Sequence, residues 1–282
     1  GGLYALMSLG LVIVYGILRL INFAYGELVM VAGYGLLLFG KSPLPWIVVA
    51  ILSVIAAVVA AVLMERIAFR PVRGSSPTTM LITSFAVSNL LQNIVLLTIS
   101  PRARAPRLPN IFVRSVTIGD VRIKIVDVIA LVISVVALLG LTVFLRQTII
   151  GLALRAAADD FTMTRLLGVR ANMVIAAAFA VSGLMAGIVA MFWIGRIGQT
   201  YPTVGFDPVL IAFIASVLGG MLTLKGAVLG GYVLGFLTMG LQTYLPTSIN
   251  EYRVAVMFAI VIAVLLLRPE GLVRPAYSRE AR

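Results

Sequence analysis

The sequence predicts an all-α protein, a polytopic bundle of transmembrane helices, on three observations. Of its 282 residues 61% are hydrophobic and only 11% charged, whereas soluble domains hold roughly 45–50% apolar and about 25% charged residues. The apolar residues fall into nine runs, most of them near the ~20 residues that cross a hydrocarbon core as a helix. Between the runs stand basic or Gly/Pro-rich stretches, the pattern of turns at lipid headgroups. The whole chain, 1–282, reads as one transmembrane domain of eight or nine membrane segments, some broken or re-entrant. A surface helix region, 151–169, and an external loop with a small hairpin, 101–125, complete it.

Composition narrows the function. The chain has no cysteine and no histidine, so disulfides, thiolate chemistry and the usual general base and metal ligand are missing, and no metal site is expected. A formal charge of +12 would suit nucleic acid, but the Lys and Arg residues lie between apolar runs rather than in one stripe. Membrane lipid is the expected partner and nucleic acid is not. The chain opens at Gly1, without methionine and inside an apolar run; a preceding piece is expected, and no cleavable signal can be judged.

From Leu3 to Phe39 nearly every residue is apolar, and one helix of that length would reach roughly 55 Å against a core of about 30 Å. The run must break, and Arg19, Asn22, Phe23, Tyr25, Gly26 and Glu27 mark where. Polar groups near the membrane interior face protein or water, and ionisable ones are functional candidates. Arg19 and Glu27 pair with each other, snorkel to an interface, or line a solute path at a broken helix. Gly35 to Ser42 fits the phosphate-loop pattern letter by letter, but prolines at 43 and 45 follow it and no strand precedes it, so nucleotide binding there is rejected.

Pro45 to Leu63 is the next span, and Glu65 to Pro77 reads as a basic, proline-broken cytoplasmic turn. Thr78 to Ser100 crosses back with Asn89, Gln92 and Asn93 at helical spacing, amides that bridge neighbouring helices more often than they touch solute. In the following loop Val116 to Ile118 and Val121 to Ile125 alternate about Gly119-Asp120, a hairpin signal. Its arginines argue against an external position, but counting spans from the cytoplasmic turn places it outside. Val126 to Leu145 is a plain span.

Gly151 to Val169 is the one polar insert that itself reads as a helix, with Leu152, Leu154, Ala158, Phe161, Leu166 and Leu167 broken by Arg155, Asp159, Asp160 and Arg165. It is too charged to span and should lie at a membrane surface, as a connector or as a docking ledge. Met173 to Ile194 carries the small-residue pair Gly183 and Gly187, which lets another helix approach. Arg196 to Pro208 is a second Gly/Pro-broken polar stretch, including Asp207. Two interrupted segments, one in each half, point to a solute site at a repeat interface; an external loop is the alternative. Val209 to Leu222 and Gly226 to Tyr244 form a tight antiparallel pair, with Gly219, Gly220, Gly226, Gly230, Gly231 and Gly235 as a packing seam. Val254 to Leu267 is the last span. Side-alternation from a cytoplasmic C-terminus puts Gly1 outside with nine spans, inside with eight.

Four stretches carry a family resemblance. Asn22-Phe-Ala-Tyr-Gly-Glu27, the surface insert with Gly151, Leu154 to Asp159 and Leu167-Gly168-Val169, the Leu-Gly-Gly-Met and Lys-Gly-Ala-Val words of 212–228, and Arg-Pro-Glu-Gly-Leu at 268–272 are similar to the branched-chain amino acid permeases of ATP-binding-cassette importers. Tyr25 stands where that family usually has histidine, and Arg155 where the wider importer class has glutamate. The resemblance implies a bacterial inner-membrane permease subunit, pairing with a second, related but different permease and driven by two ATPase subunits. A periplasmic binding protein would deliver a branched-chain or related small amino acid. It implies ATPase coupling through Gly151, Leu154, Arg155, Ala156, Asp159, Asp160, Leu167 and Gly168, and a path lined by Arg19, Asn22, Phe23, Tyr25, Gly26, Glu27 and Asp207. This chain would bind no cofactor, since ATP and Mg belong to the partner subunits.

Other functions are weighed against this one. Relatives for urea, short amides or other small polar or aromatic acids are the alternative within the family. A self-sufficient secondary transporter or channel would need no surface helix for a motor. An intramembrane enzyme would need a clustered Ser, His or paired Asp, and none is present.

Overall fold

The computed structural model describes residues 1–282 apart from 110–111, 113, 119–120, 245–251, 269–270 and 274–282. The apolar runs become helices α1 (Gly2–Leu18), α2 (Tyr25–Phe39), α3 (Trp46–Met64), α4 (Pro77–Thr98), α5 (Ile125–Gln147), α8 (Ala171–Ile197), α9 (Phe206–Gly219), α10 (Leu224–Tyr244) and α11 (Arg253–Leu267). Between α5 and α8 lie α6 (Ile149–Asp159) and α7 (Phe161–Leu166). Among the described residues five helices are long and apolar enough to cross a membrane, the first of them running on to Phe69. Their outward faces carry large apolar side chains such as Ile47, Leu97 and Phe236, all more than two-thirds exposed, as lipid contact demands. The chain is an all-α, multi-pass membrane protein.

Local chemistry sets the boundaries. Ser76 caps α4 by accepting from the Thr79 amide at 3.2 Å, with Pro77 in the first helical position, where no amide is needed. Arg19 ends α1 in the left-handed conformation (φ 52°, ψ 31°), the one non-glycine with positive φ among the described residues. Strands β1 (Ser115–Ile118) and β2 (Val121–Lys124) pair antiparallel, Ser115 opposite Lys124. The expected Gly119-Asp120 turn lies outside the described residues, as do Pro269 and Glu270 of the last family word.

Three expectations need correction. The turn read after α3 begins later, because Glu65–Phe69 continues the helix as a π-turn. There Glu65, buried, accepts from Arg73, so a charge expected on a solvated turn is paired and enclosed. The insert 151–169 is not one helix. Asp160 adopts an extended conformation (φ −145°, ψ 101°), ends α6 and caps α7 by accepting from the Met163 amide at 2.9 Å. The glycine seam of α9 and α10 is two seams. Gly219, Gly226 and Gly230 bring those two helices into backbone contact, whereas Gly231 meets Ala5 of α1 and Gly235 meets Gly1 just before it; Gly220 (φ 107°) follows the end of α9 rather than packing within it.

The packing shows an internal correspondence between α1 to α4 and α8 to α11. Helix α3 lies on α8 as α10 lies on α1, α2 on α3 as α9 on α10, and α1 on α9 as α8 on α2. Helices α3 and α8 run antiparallel: Gly183 faces Ala57, Val58 and Ala61, while Gly187, one turn on, faces Val54 one turn earlier. One end of the bundle holds the hairpin, the start of α5 and the end of α8, tied by Asp127 and Arg196 at 3.4 Å. The other holds α6, α7 and the end of α1, where Gly16 approaches Ala158.

A Cβ at Gly183 would stand 2.8 Å from the Ala57 carbonyl oxygen, with helix backbone that cannot yield. Gly183→Leu is expected to destabilise the protein by about 1–3 kcal/mol, read as a lower unfolding temperature in detergent. The substitution Gly140→Leu, at a position where nothing lies within 4 Å, should leave that temperature nearly unchanged.

Candidate functional site

Two short helices meet start to start. At 15 and 14 residues, α2 and α9 reach only about 22 and 21 Å, well short of a ~30 Å core. Gly26 in the first turn of α2 lies backbone to backbone against Gly205, the residue capping α9. From that junction the helices diverge. Along α2, Gly33 reaches Thr200, and Gly40 lies near the Arg107 carbonyl at the hairpin end; α9 runs to Gly219, near the α6 end. The stretch before α9 is tied to the loop after α4 by a two-way backbone bridge between Thr200 and Arg104, at 2.8 and 2.9 Å.

The first break is built by its own side chains. Asn22, 1% exposed, accepts from the Ala24 amide at 3.1 Å and turns the chain into α2, local chemistry typical of asparagine. Its amide nitrogen points at the Met64 sulfur, 3.8 Å away. Phe23 stacks on Phe85 of α4 (centroids 4.6 Å, 15°) and tilts against Phe213 of α9 at 5.9 Å. Tyr25 is wholly buried, its hydroxyl beside Gly10 of α1 with no hydrogen-bond partner among the described residues.

Glu27 is 2% exposed. Its Oε1 accepts from Ser88 Oγ and Gln92 Nε2 of α4, each at 2.8 Å, while Oε2 has no partner among the described residues. Arg19 and Glu27 therefore do not pair. Arg19 is exposed, and its guanidinium reaches the Ala158 carbonyl at 3.5 Å, at the end of α6. Asp207 sits in the first turn of α9, exposed, with no ion pair or hydrogen bond among the described residues. Of the three amides singled out on α4, Gln92 bridges to α2, whereas Asn89 and Asn93 donate to their own helix, to Phe85 O and Asn89 O. Ser88, which shares Glu27 with Gln92, carried no signal in the sequence beyond its position one turn before it.

The second candidate region is the α6–α7 ledge. Thr148 caps α6, accepting from the Gly151 amide at 2.9 Å. Gly151, Leu154 and Ala157 are buried at spacings of three, one side of a helix, which holds α6 against α1, α5 and α8. Ala156 is half-buried; Arg155, Asp159 and Asp160 are exposed, as are Leu167 and Gly168 beyond α7. The apolar side chains divide: Leu154 faces the bundle, while Leu152, Met163, Leu166 and Leu167 are 58, 59, 76 and 84% exposed. Met163 and the capping Thr148 were not singled out by sequence. Their signals, an Asx-type cap three residues before a helical amide and a threonine before an apolar turn, were present.

Comparison with known proteins assigns the chain to a family. A family model described as "Branched-chain amino acid transport system / permease component" matches residues 1–265. The high-affinity branched-chain amino acid transport system permease protein LivH of Escherichia coli K12 is 36% identical, over 99% of this chain and 94% of its own. BraD, the corresponding permease protein of Pseudomonas aeruginosa, is 34% identical with the same coverage. The ribose import permease protein RbsC of Escherichia coli K12 is 28% identical over 44% of this chain and 39% of its own. No solved structure matches. With a match over nearly its whole length and relatives above 30% identity, the chain belongs to the family of branched-chain amino acid transport permease components.

Proposed function

We propose that this chain is a permease subunit of an ATP-binding-cassette importer of the bacterial inner membrane and passes branched-chain or related small amino acids. The observation that carries this reading is the meeting of α2 and α9 at Gly26 and Gly205, two interrupted helices with a carboxylate in each first turn. Interrupted helices mark solute sites in many transporters, because their ends offer polar groups at membrane depth without exposing backbone to lipid. Asn22, Phe23, Tyr25, Gly26, Glu27 and Asp207 build this site. An amino acid needs an anionic contact for its ammonium, backbone or cationic groups for its carboxylate, and apolar walls; the junction offers Asp207, helix N-termini and Phe23.

The names LivH and BraD support the solute class. A periplasmic binding protein delivers the amino acid, and a second permease completes the pathway. Energy comes from two ATPase subunits that use ATP and Mg, since the phosphate-loop pattern at Gly35 to Ser42 begins inside α2, preceded by helix rather than strand. The ATPases dock on the α6–α7 ledge, where exposed Leu152, Met163, Leu166 and Leu167 alternate with Arg155, Asp159 and Asp160. That end of the bundle faces the cytoplasm. Buried Leu154 and Ala157 carry the movement inward to α1, and Arg19 at the end of α1 touches α6.

Two outcomes are expected of variants assayed in cells lacking their own leucine uptake. The double substitution Asp159→Lys, Asp160→Lys should lower leucine uptake at least tenfold and release the ATPase subunits in a pull-down, while the permease stays in the membrane; normal uptake would defeat the docking role. Glu27→Ala strands the Ser88 and Gln92 donors, a buried loss of roughly 1–3 kcal/mol. It should reduce uptake about as strongly but leave the ATPases attached; release of the ATPases instead would show that Glu27 acts on assembly, not on passage.

A further inference from the structure

A groove opens where α6 of the ledge meets α1 and α5. It is a narrow cleft of about 50 Å³ between α1, α5, α6 and the turn from α9 to α10, open on one side, and its walls include Val12, Ile13, Ile17, Leu145, Leu154 and Leu222. Gly16 forms part of the floor, and the one charged group at the groove is Arg155. The guanidinium has no hydrogen bond or ion pair among the described residues. Neither water nor a zwitterionic solute finds partners on such walls, so the groove does not belong to the solute path.

We propose that this groove is a site for an anionic phospholipid, one acyl chain lying along Val12 to Ile17 and the phosphate resting on Arg155. Position and charge both favour it. The groove lies where α1 and α5 end, the depth of headgroups for a bundle that ends there. Cations dominate its rim: Arg19 reaches the carbonyl of the lining residue Ala158 at 3.5 Å, and exposed Arg146 and Lys225 follow the lining residues Leu145 and Leu224. Asp159, next to Ala158, is the single opposing carboxylate among these neighbours. Basic groups at an apolar cleft between helix ends are how anionic lipids are held. The lipid would wedge between α6 and α1, and this site depends only on the chain lying in a bilayer, not on the identity of the solute.

The test uses the importer purified from membranes in mild detergent. Retained lipid is quantified by mass spectrometry, and the unfolding temperature is followed after adding phosphatidylglycerol, phosphatidylcholine or inorganic phosphate. Wild type should retain phosphatidylglycerol preferentially and be stabilised by it more than by phosphatidylcholine, with no effect of inorganic phosphate. Arg155→Gln should lower retained phosphatidylglycerol about fivefold, the factor expected for one basic residue at an anionic surface, and Arg155→Lys should restore much of it. Gly16→Leu projects into the groove from a position where a Cβ meets only the Ala158 Cβ, at 3.5 Å, and should displace both lipids. Equal binding of the two lipids by wild type overturns the proposal, as does unchanged retention in Gly16→Leu. Loss of ATPase subunits with lipid retained in that variant shows that a protein segment fills the groove. A chain that carries no leucine but keeps this lipid selectivity would contradict only the proposed solute.

Discussion

In lipid every backbone N–H and C=O must find a partner inside the protein, since no water is at hand. This chain breaks a helix in two places within its apolar core, and everything around the breaks works to satisfy them. Asn22 turns its side chain onto the Ala24 amide; Thr200 and Arg104 exchange backbone hydrogen bonds; Gly26 and Gly205 bring two helix starts together with no side chain between. The surrounding spans can be plain Val/Leu helices because the polar problem has been gathered into one place. A side chain at either glycine would part the helix starts and reopen it.

The same economy links the junction to the ledge. Arg19, held in the left-handed region, ends α1 and leads into the break that starts α2. Its guanidinium lies at the carbonyl end of α6, where the helix dipole favours a cation. Buried Gly151, Leu154 and Ala157 fix α6 on the bundle, against α1, α5 and α8. Arg19 was read as pairing with Glu27, snorkelling to an interface or lining a solute path; of these the pairing is absent, and its guanidinium reaches the Ala158 carbonyl.

Much of this was legible in the sequence. Nine apolar runs became nine apolar helices among the described residues, five of them long and apolar enough to cross a membrane. The breaks were legible from charges and glycines inside runs otherwise too uniform to contain them. What sequence could not settle was which polar groups meet. Glu27 finds Ser88 and Gln92, 61 and 65 residues away, and that choice depends on α4 crossing α2, which no local pattern encodes. The split of 151–169 at Asp160 was missed for a different reason: aspartate inside an amphipathic pattern reads equally as an exposed helical residue and as a cap, and only backbone conformation distinguishes them.

The two halves correspond in packing but not in chemistry, and the difference bears on which half meets the solute. In the first, α4 supplies a hydroxyl and an amide to Glu27 and covers it almost completely. In the second, the corresponding helix α11, after Arg253, is valine, alanine, methionine, phenylalanine, isoleucine and leucine throughout. It has no donor to offer Asp207, which stays exposed. A carboxylate beside a junction of interrupted helices is too costly to face hydrocarbon and has to face protein or water; among the described residues it has no ion pair. In the proposed importer the ammonium of the passing amino acid is the cation that suits it. Under that proposal Glu27, already engaged by Ser88 and Gln92, would hold the junction in shape, and Asp207 would be the carboxylate left for the solute.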